Sequence, residues 1–256
     1  MDFFGYPVWV PLVICIGVFV AAFVDAIGGG GGLISLPVYL MVGLPYHNAL
    51  GTNKLSSCLG TVASTARYLK NGCVNWRLAS GSVVLAVAGA WVGTRLQLSL
   101  DARYLQYTLL VVLPIVAAVM LLRNSQLPEE PGRIGQGAQM AIVWSASAII
   151  GVYDGFYGPG TGTFLLMVFC YLGKMDVRTA SGNMKLANLA SNVGSLVTAL
   201  FAGTVVVPLG LLAAVFSVSG HYLGAGMNLK NGAKIVRPVI LLVLVLLAVK
   251  VITDML

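Results

Sequence analysis

Charge is what this sequence has least of. Asp, Glu, Lys and Arg make up 9% of its 256 residues against 58% hydrophobic, and the mean hydropathy is +0.92. A water-soluble domain carries roughly a quarter of its residues charged, so that class is excluded. Acid is scarcer than base, 8 residues against 15, for a formal net charge of +7. The basic residues stand singly in short loops and form no stripe. Nucleic acid is therefore excluded as a partner, and membrane topology accounts for the excess. Cys15, Cys58, Cys73 and Cys170 make no CxxC and no Cys/His pair, so they read as small buried hydrophobes and no metal or other cofactor is expected. Strand alternation is lacking, which argues against a β-barrel. The first residues include Asp2 but no Lys or Arg, so the basic region of a signal peptide is missing and Pro7 to Val24 reads as a retained span. No triad, HExxH, P-loop or metal cage occurs, and no Ser–His or Cys–His pair stands at helical spacing, so an enzyme is not expected.

What the chain does have is apolar runs long enough to cross a bilayer, about 20 residues each. The expected fold is an all-α polytopic membrane protein of two inverted-topology repeats. Each repeat holds a broken helix pair plus three spanning helices, for about eight full spans and two short segments. The first repeat covers 1–122, a polar connector 123–137 and the second repeat 138–256. Spans are expected at 8–24, 49–70, 77–97 and 103–122, then at 138–154, 178–201, 207–227 and 236–253. The duplication is read from paired positions. Gly28, Gly30 and Gly32 recur as Gly158, Gly160 and Gly162; Gly51 and Lys54 recur as Gly182 and Lys185; Gly89 and Gly93 recur as Gly220 and Gly224. The last two pairs are small-xxx-small spacings that predict close helix packing, and His221 between them reads as a packed or interfacial histidine rather than a proton relay. Trp9, Trp76, Trp144, Tyr68 and Tyr104 fall near expected span ends and suit interfacial belts.

Loop charge sets the expected orientation. Arg67, Lys70, Arg77, Arg123, Arg133, Lys174, Arg178, Lys230, Lys234 and Arg237 should be cytoplasmic, whereas the loops at 45–48 and 202–206 have no Lys or Arg and should be outside. The loop with Arg95 and Arg103 is the exception. Threading the chain this way requires each half-helix to return to the side where its preceding helix began. Both termini then lie on the periplasmic or extracellular side of the inner (plasma) membrane.

The candidate site is built from the interruptions. Asp25 is followed by Gly28 to Gly32 and a short apolar segment; Asp154 is followed by Gly158-Pro-Gly-Thr-Gly162 and another. Segments of this length cannot span about 30 Å of hydrocarbon at about 1.5 Å per residue. Broken backbone survives there only beside protein or a wet cavity. Helix N-termini present unpaired N–H groups, and glycine lets a ligand approach them, so Gly28, Gly30, Gly32, Gly158, Gly160 and Gly162 are candidate contacts for a small anion. Thr52, Asn53, Lys54 and Ser57, with Asn183, Lys185, Asn188 and Asn192, complete the candidate set. Asn53, Ser57, Thr61, Ser64 and Thr65 share one helix face, and Lys185, Asn188, Asn192 and Ser195 another. Two readings stay open for Lys54 and Lys185: snorkelling to the interface, or facing a central cavity to hold an anion or an aspartate. Asp25 and Asp154 either couple transport to a cation or proton, or cap the half-helices and pair with lysine.

At these residues the sequence resembles the TauE/SafE family of sulfite and sulfonate exporters. The matching stretches are VDAIGGGGGLISLPVYLMVGLP, NALGTNKLSS, YDGFYGPGTGTF, ASGNMKLANLASNVGSL and KNGAKIVRPVILL. The resemblance implies an inner-membrane secondary transporter for small sulfur oxyanions such as sulfite or organosulfonates, commonly outward. The expected partners are a small-molecule anion and the lipid bilayer. An anion channel, a carrier of another small anion and a polytopic membrane enzyme are the alternatives. The second break differs from the first, and Met184 stands where Asn53 would recur while Asn183 matches Thr52, so the two half-sites cannot be equivalent.

Overall fold

The computed structural model describes residues 2–3, 6–101, 127–232, 234–236, 238–239 and 242. The expected span at 103–122 lies outside them, as do most of the span at 236–253 and residues Arg103, Tyr104, Arg123 and Arg237. Eight helices are described: α1 Trp9–Gly28, α2 Gly32–Met41, α3 Tyr46–Lys70, α4 Trp76–Ser99, α5 Gln136–Phe156, α6 Thr161–Tyr171, α7 Val177–Phe201 and α8 Val207–Asn231. Two strands of two residues each, β1 Asp2–Phe3 and β2 Tyr6–Pro7, pair antiparallel ahead of α1.

Local chemistry sets several helix ends. Asn75 caps α4 by accepting from the Arg77 N–H, and Asp176 caps α7 by accepting from Arg178 and Thr179. α1 stops where Gly29 and Gly30 take φ of 78° and 84°, and α6 begins after Gly158 and Gly160 at 95° and 87°. Left-handed backbone of this kind is open to glycine and strained for other residues. The half-helices α2 and α6 have 10 and 11 residues, about 15 and 16 Å of rise and about half the hydrocarbon thickness.

Among the described residues, α1, α4 and α8 are long and apolar enough to cross a membrane. α3, α5 and α7 have comparable lengths of 25, 21 and 25 residues but lower hydropathy. In α3 and α7 the polar residues responsible point inward: Asn53, Lys54, Thr61 and Ser64, and Asn183, Lys185, Asn188 and Asn192, are all buried. Apolar side chains such as Leu12, Ile16, Leu211 and Val215 cover the outside. This reverses the arrangement of a soluble protein and suits an all-α membrane protein whose solvent is hydrocarbon.

Small residues decide how the helices run against one another. Gly220 and Gly224 of α8 rest on the α1 backbone at Phe19 and Phe23, and Gly89 and Gly93 of α4 rest on α5 at Ala148 and Val152. Both pairs therefore run parallel, packed as the small-xxx-small spacing predicts. Gly60 of α3 meets Ser217 and His221, and Gly210 of α8 meets Leu55, so α3 and α8 are parallel as well. Gly182 and Gly194 of α7 meet Cys73 and Val87, which sets α7 parallel to α4. Lys54 reaches Asn192, and Thr65 Oγ1 donates to the Lys185 carbonyl, so α3 and α7 are antiparallel. Hence α1, α3 and α8 run one way and α4, α5 and α7 the other. α2 folds back along α1, with Val38 against Gly17; α6 folds back along α5, where Gln139 donates to the Gly173 carbonyl.

These directions bring Arg67, Lys70, Arg77, Arg133, Lys174, Arg178 and Lys230 to one face. The start of α1 and the turns after α2 and α7 lie at the other. The connector is fastened to the basic face: the Val177 N–H donates to the Pro128 carbonyl and the Gly132 N–H to that of Lys174. One belt residue is corrected, Tyr68. Tyr68 is buried, donating to the Ala26 carbonyl and accepting from Asn228, and Trp144 lies across Gly81 and donates to the Leu78 carbonyl. Trp9 and Trp76 are exposed.

Candidate binding site where the two helix breaks meet

The breaks lie against each other, backbone on backbone. A side chain at Gly29 would overlap the main chain of Gly162 and Thr163, and one at Gly32 would press on Pro159. Thr163 Oγ1 donates to the Gly28 carbonyl at 2.9 Å. The first break is held by Asp25, whose Oδ1 accepts from the Gly31 N–H at 3.0 Å, and the second by Tyr153, whose hydroxyl donates to the Pro159 carbonyl at 2.6 Å. Gly32 and Gly162, in the first turns of α2 and α6, belong to the part of a helix whose N–H groups have no intrahelical acceptor.

Two ion pairs flank the crossing, and each joins a helix before the connector to one after it. Lys54 Nζ of α3 lies 2.9 Å from Asp154 Oδ1 of α5, and Lys185 Nζ of α7 lies 2.5 Å from Asp25 Oδ2 of α1. The lysine side chains are 8% and 0% exposed, so neither snorkels. Lys54 also donates to Asn192 Oδ1 at 3.2 Å, and Ser191 Oγ donates to Asp154 Oδ2 at 2.6 Å. Removing a single partner from such a pair strands a buried charge at a cost of about 3–5 kcal/mol. Of the roles left open for the aspartates, lysine pairing is observed for both and a cap on the break for Asp25.

Beside the crossing is a cavity of about 40 Å³. On the same measure one water needs about 10–15 Å³, so it has room for about three waters or one small oxyanion. Asp25, Gly32, Asn53, Lys54 and Ser57 line it from the first part of the chain, and Asp154, Gly158, Gly162, Asn188 and Asn192 from the second. Six other candidates lie off the cavity wall. Thr52 Oγ1 accepts from the Val206 N–H and Asn183 donates to Thr179 one turn back. The Gly28 carbonyl is taken by Thr163, Gly30 and Gly160 are turn positions, and Lys185 is fully buried against Asp25. Ser35, Thr161 and Ser217, outside the candidate set, also line the cavity, and so does His221, which the sequence suggests as a packed or interfacial histidine. Ser217 and His221 are one turn apart on one face, but alanines, Ala86 and Ala90, stand 131 residues earlier in α4, so the pairing of positions carries no signal for them.

Comparison with known proteins gives a consistent answer. The family described as sulfite exporter TauE/SafE matches residues 13–251. The chain is 32% identical to the probable membrane transporter protein ORF9 of Sinorhizobium sp., over 93% of this chain and 91% of that protein. It is 30% identical to the probable membrane transporter protein YfcA of Escherichia coli K12, over 91% and 86% of the two chains. With a probable membrane transporter protein of Haemophilus influenzae it shares 31% identity over 95% and 94%. No solved structure matches the chain.

Proposed function

The chain belongs to the TauE/SafE sulfite exporter family and is a membrane transporter; from that premise we propose that it is a secondary carrier exporting small sulfur oxyanions, sulfite or organosulfonates, by alternating access. The observation that carries the reading is the cavity at the crossed breaks. Two half-helix first turns, the Lys54 ammonium and the amides of Asn53, Asn188 and Asn192 converge on a space the size of one such anion. Together they offer many N–H donors and one cation, which is what a ligand with several acceptor oxygens requires.

The transport cycle follows from two inverted units, 1–122 and 138–256, joined by the connector 123–137. Supporting this is the order long, short, long, long helix, which occurs before the connector and again after it. Supporting it also is direction: α1 and α3 run against α5 and α7, as the packing contacts require. Exchanging the conformations of two inverted units opens the site to opposite sides in turn. Lys54 and Lys185 hold carboxylates of the opposite unit, so an anion that takes Lys54 from Asp154 loosens one of the two ion pairs that join the units. The basic face is cytoplasmic under the positive-inside rule, which puts both termini outside the inner membrane.

Counterflow in proteoliposomes tests the reading. Vesicles loaded with unlabelled sulfite should accumulate external labelled sulfite transiently and saturably. Flux that neither saturates nor responds to internal sulfite would indicate a channel. Counterflow with another small anion but no sulfur oxyanion would overturn the substrate class. Chemical turnover by the purified protein would indicate a membrane enzyme.

A further inference from the structure

His221 is the one imidazole on the cavity wall, and nothing in its surroundings uses it fully. It is 2% exposed, its Nδ1 has no hydrogen-bond partner among the described residues, and its Nε2 is 3.9 Å from Asp25 Oδ2, too far for a hydrogen bond. Its Cδ2 edge lies over Gly60, so α3 presents no side chain at that point to satisfy it. Buried polar atoms in a folded chain are nearly always paired, and an orphan on the wall of a cavity marks a place where something else completes the pairing.

Charge balance says what that is. The formal charges around the ring are Asp25 from α1, Lys185 behind it from α7, and, across the cavity, Lys54 from α3 and Asp154 from α5. They cancel in pairs. The breaks add little net field, because each sets the C-terminal end of α1 or α5 beside the N-terminal end of the next half-helix. An anion entering this cavity, even one that takes Lys54 from Asp154, would leave one buried negative charge unbalanced, the arrangement proteins avoid. The geometry points to His221 as the group that supplies it: the imidazole takes up one proton when the anion binds, the imidazolium faces both the anion and Asp25, and proton and anion cross together. This rests on the anion-carrier reading above and assigns its coupling to a residue outside both ion pairs. The proton comes from bulk solvent on the loading side and returns to solvent on the other, with no bond made or broken beyond N–H.

Isothermal titration in two buffers of different ionisation enthalpy counts the protons taken up per anion bound. The probes are sulfite, thiosulfate, methanesulfonate and nitrate, added to purified full-length wild type, His221→Asn and His221→Gln. Wild type should take up about one proton more per anion than either variant, since one group changes protonation. Wild-type affinity for methanesulfonate or nitrate, neither of which titrates near neutrality, should fall about tenfold per pH unit across the range of uptake, and this arm needs no variant to fold. Equal proton uptake by wild type and both variants, or wild-type affinity flat from acid to alkaline pH, would overturn the assignment. Binding of nitrate alone would sink the sulfur-oxyanion reading while leaving His221 testable, and binding of no probe would sink both.

Discussion

Lys54→Met separates the structural from the ligand role of the lysine. The substitution keeps an unbranched side chain one atom shorter and removes its charge. Asp154, 3% exposed, then keeps the Ser191 hydroxyl but loses its counter-ion at 2.9 Å, and Asn192 loses a donor at 3.2 Å. A stranded buried carboxylate costs about 3–5 kcal/mol. For a chain of this size, about 2–4 °C per kcal/mol, the low end of that range corresponds to a Tm lowered by roughly 6–12 °C. In Lys54→Met/Asp154→Asn the stranded charge is gone and the asparagine oxygen can still accept from Ser191. Stability should return to within about 1 kcal/mol of wild type, because replacing both members of a buried pair is near neutral. Affinity should not return. A charge-assisted hydrogen bond contributes about 1.5–3 kcal/mol, so both variants should bind sulfite roughly 10- to 150-fold more weakly. Thermal unfolding in detergent and calorimetric titration read the two effects separately. A Lys54→Met Tm equal to wild type would refute the buried pair; a double variant with wild-type affinity would refute Lys54 as a ligand.

Two further predictions address the breaks and the topology. Gly29→Ala places a methyl group where the backbone of Gly162 and Thr163 already lies, at φ 78°, whereas Gly43→Ala at φ 88° meets nothing within 4 Å. The Gly43 variant should lose only the strain of left-handed backbone, about 1–2 kcal/mol, while the Gly29 variant should yield little monodisperse protein; equal losses would show that the breaks do not touch. Asn71→Cys and Ala202→Cys put exposed thiols on opposite faces, against a background of four buried native cysteines. In intact cells an impermeant maleimide should label Cys at 202 and spare Cys at 71, and the reverse pattern would invert the orientation.

Much of the fold is legible from local chemistry alone. The glycine runs announce the breaks because glycine alone adopts without strain the φ values found at Gly29, Gly30, Gly158 and Gly160. Gly89, Gly93, Gly220 and Gly224 announce close helix contacts because a missing side chain leaves room for a neighbouring backbone. The inward stripes of α3 and α7 are legible for the same kind of reason: steps of three and four share a face. The aromatic belt was legible only in part. Tyr68 falls at a plausible position along the chain, but its direction is decided by Ala26 and Asn228, both far away in sequence.

The sequence by itself determined that this is a polytopic helical membrane protein, where its helices break, and that two aspartates and two lysines sit where hydrocarbon should be. Only the tertiary structure decided the partners: Lys54 with Asp154 and Lys185 with Asp25, each across the connector. It alone decided that Asn53 lines the cavity while Asn183 turns back to Thr179, and that Ser217 and His221 join the wall. The physical reason is rotation. Asp25 precedes its first paired glycine by three residues and Asp154 precedes its own by four, and one residue turns a helical side chain by about 100°. Where a side chain points after such a turn depends on which helix packs beside it, and that is settled by contacts between residues a hundred or more positions apart.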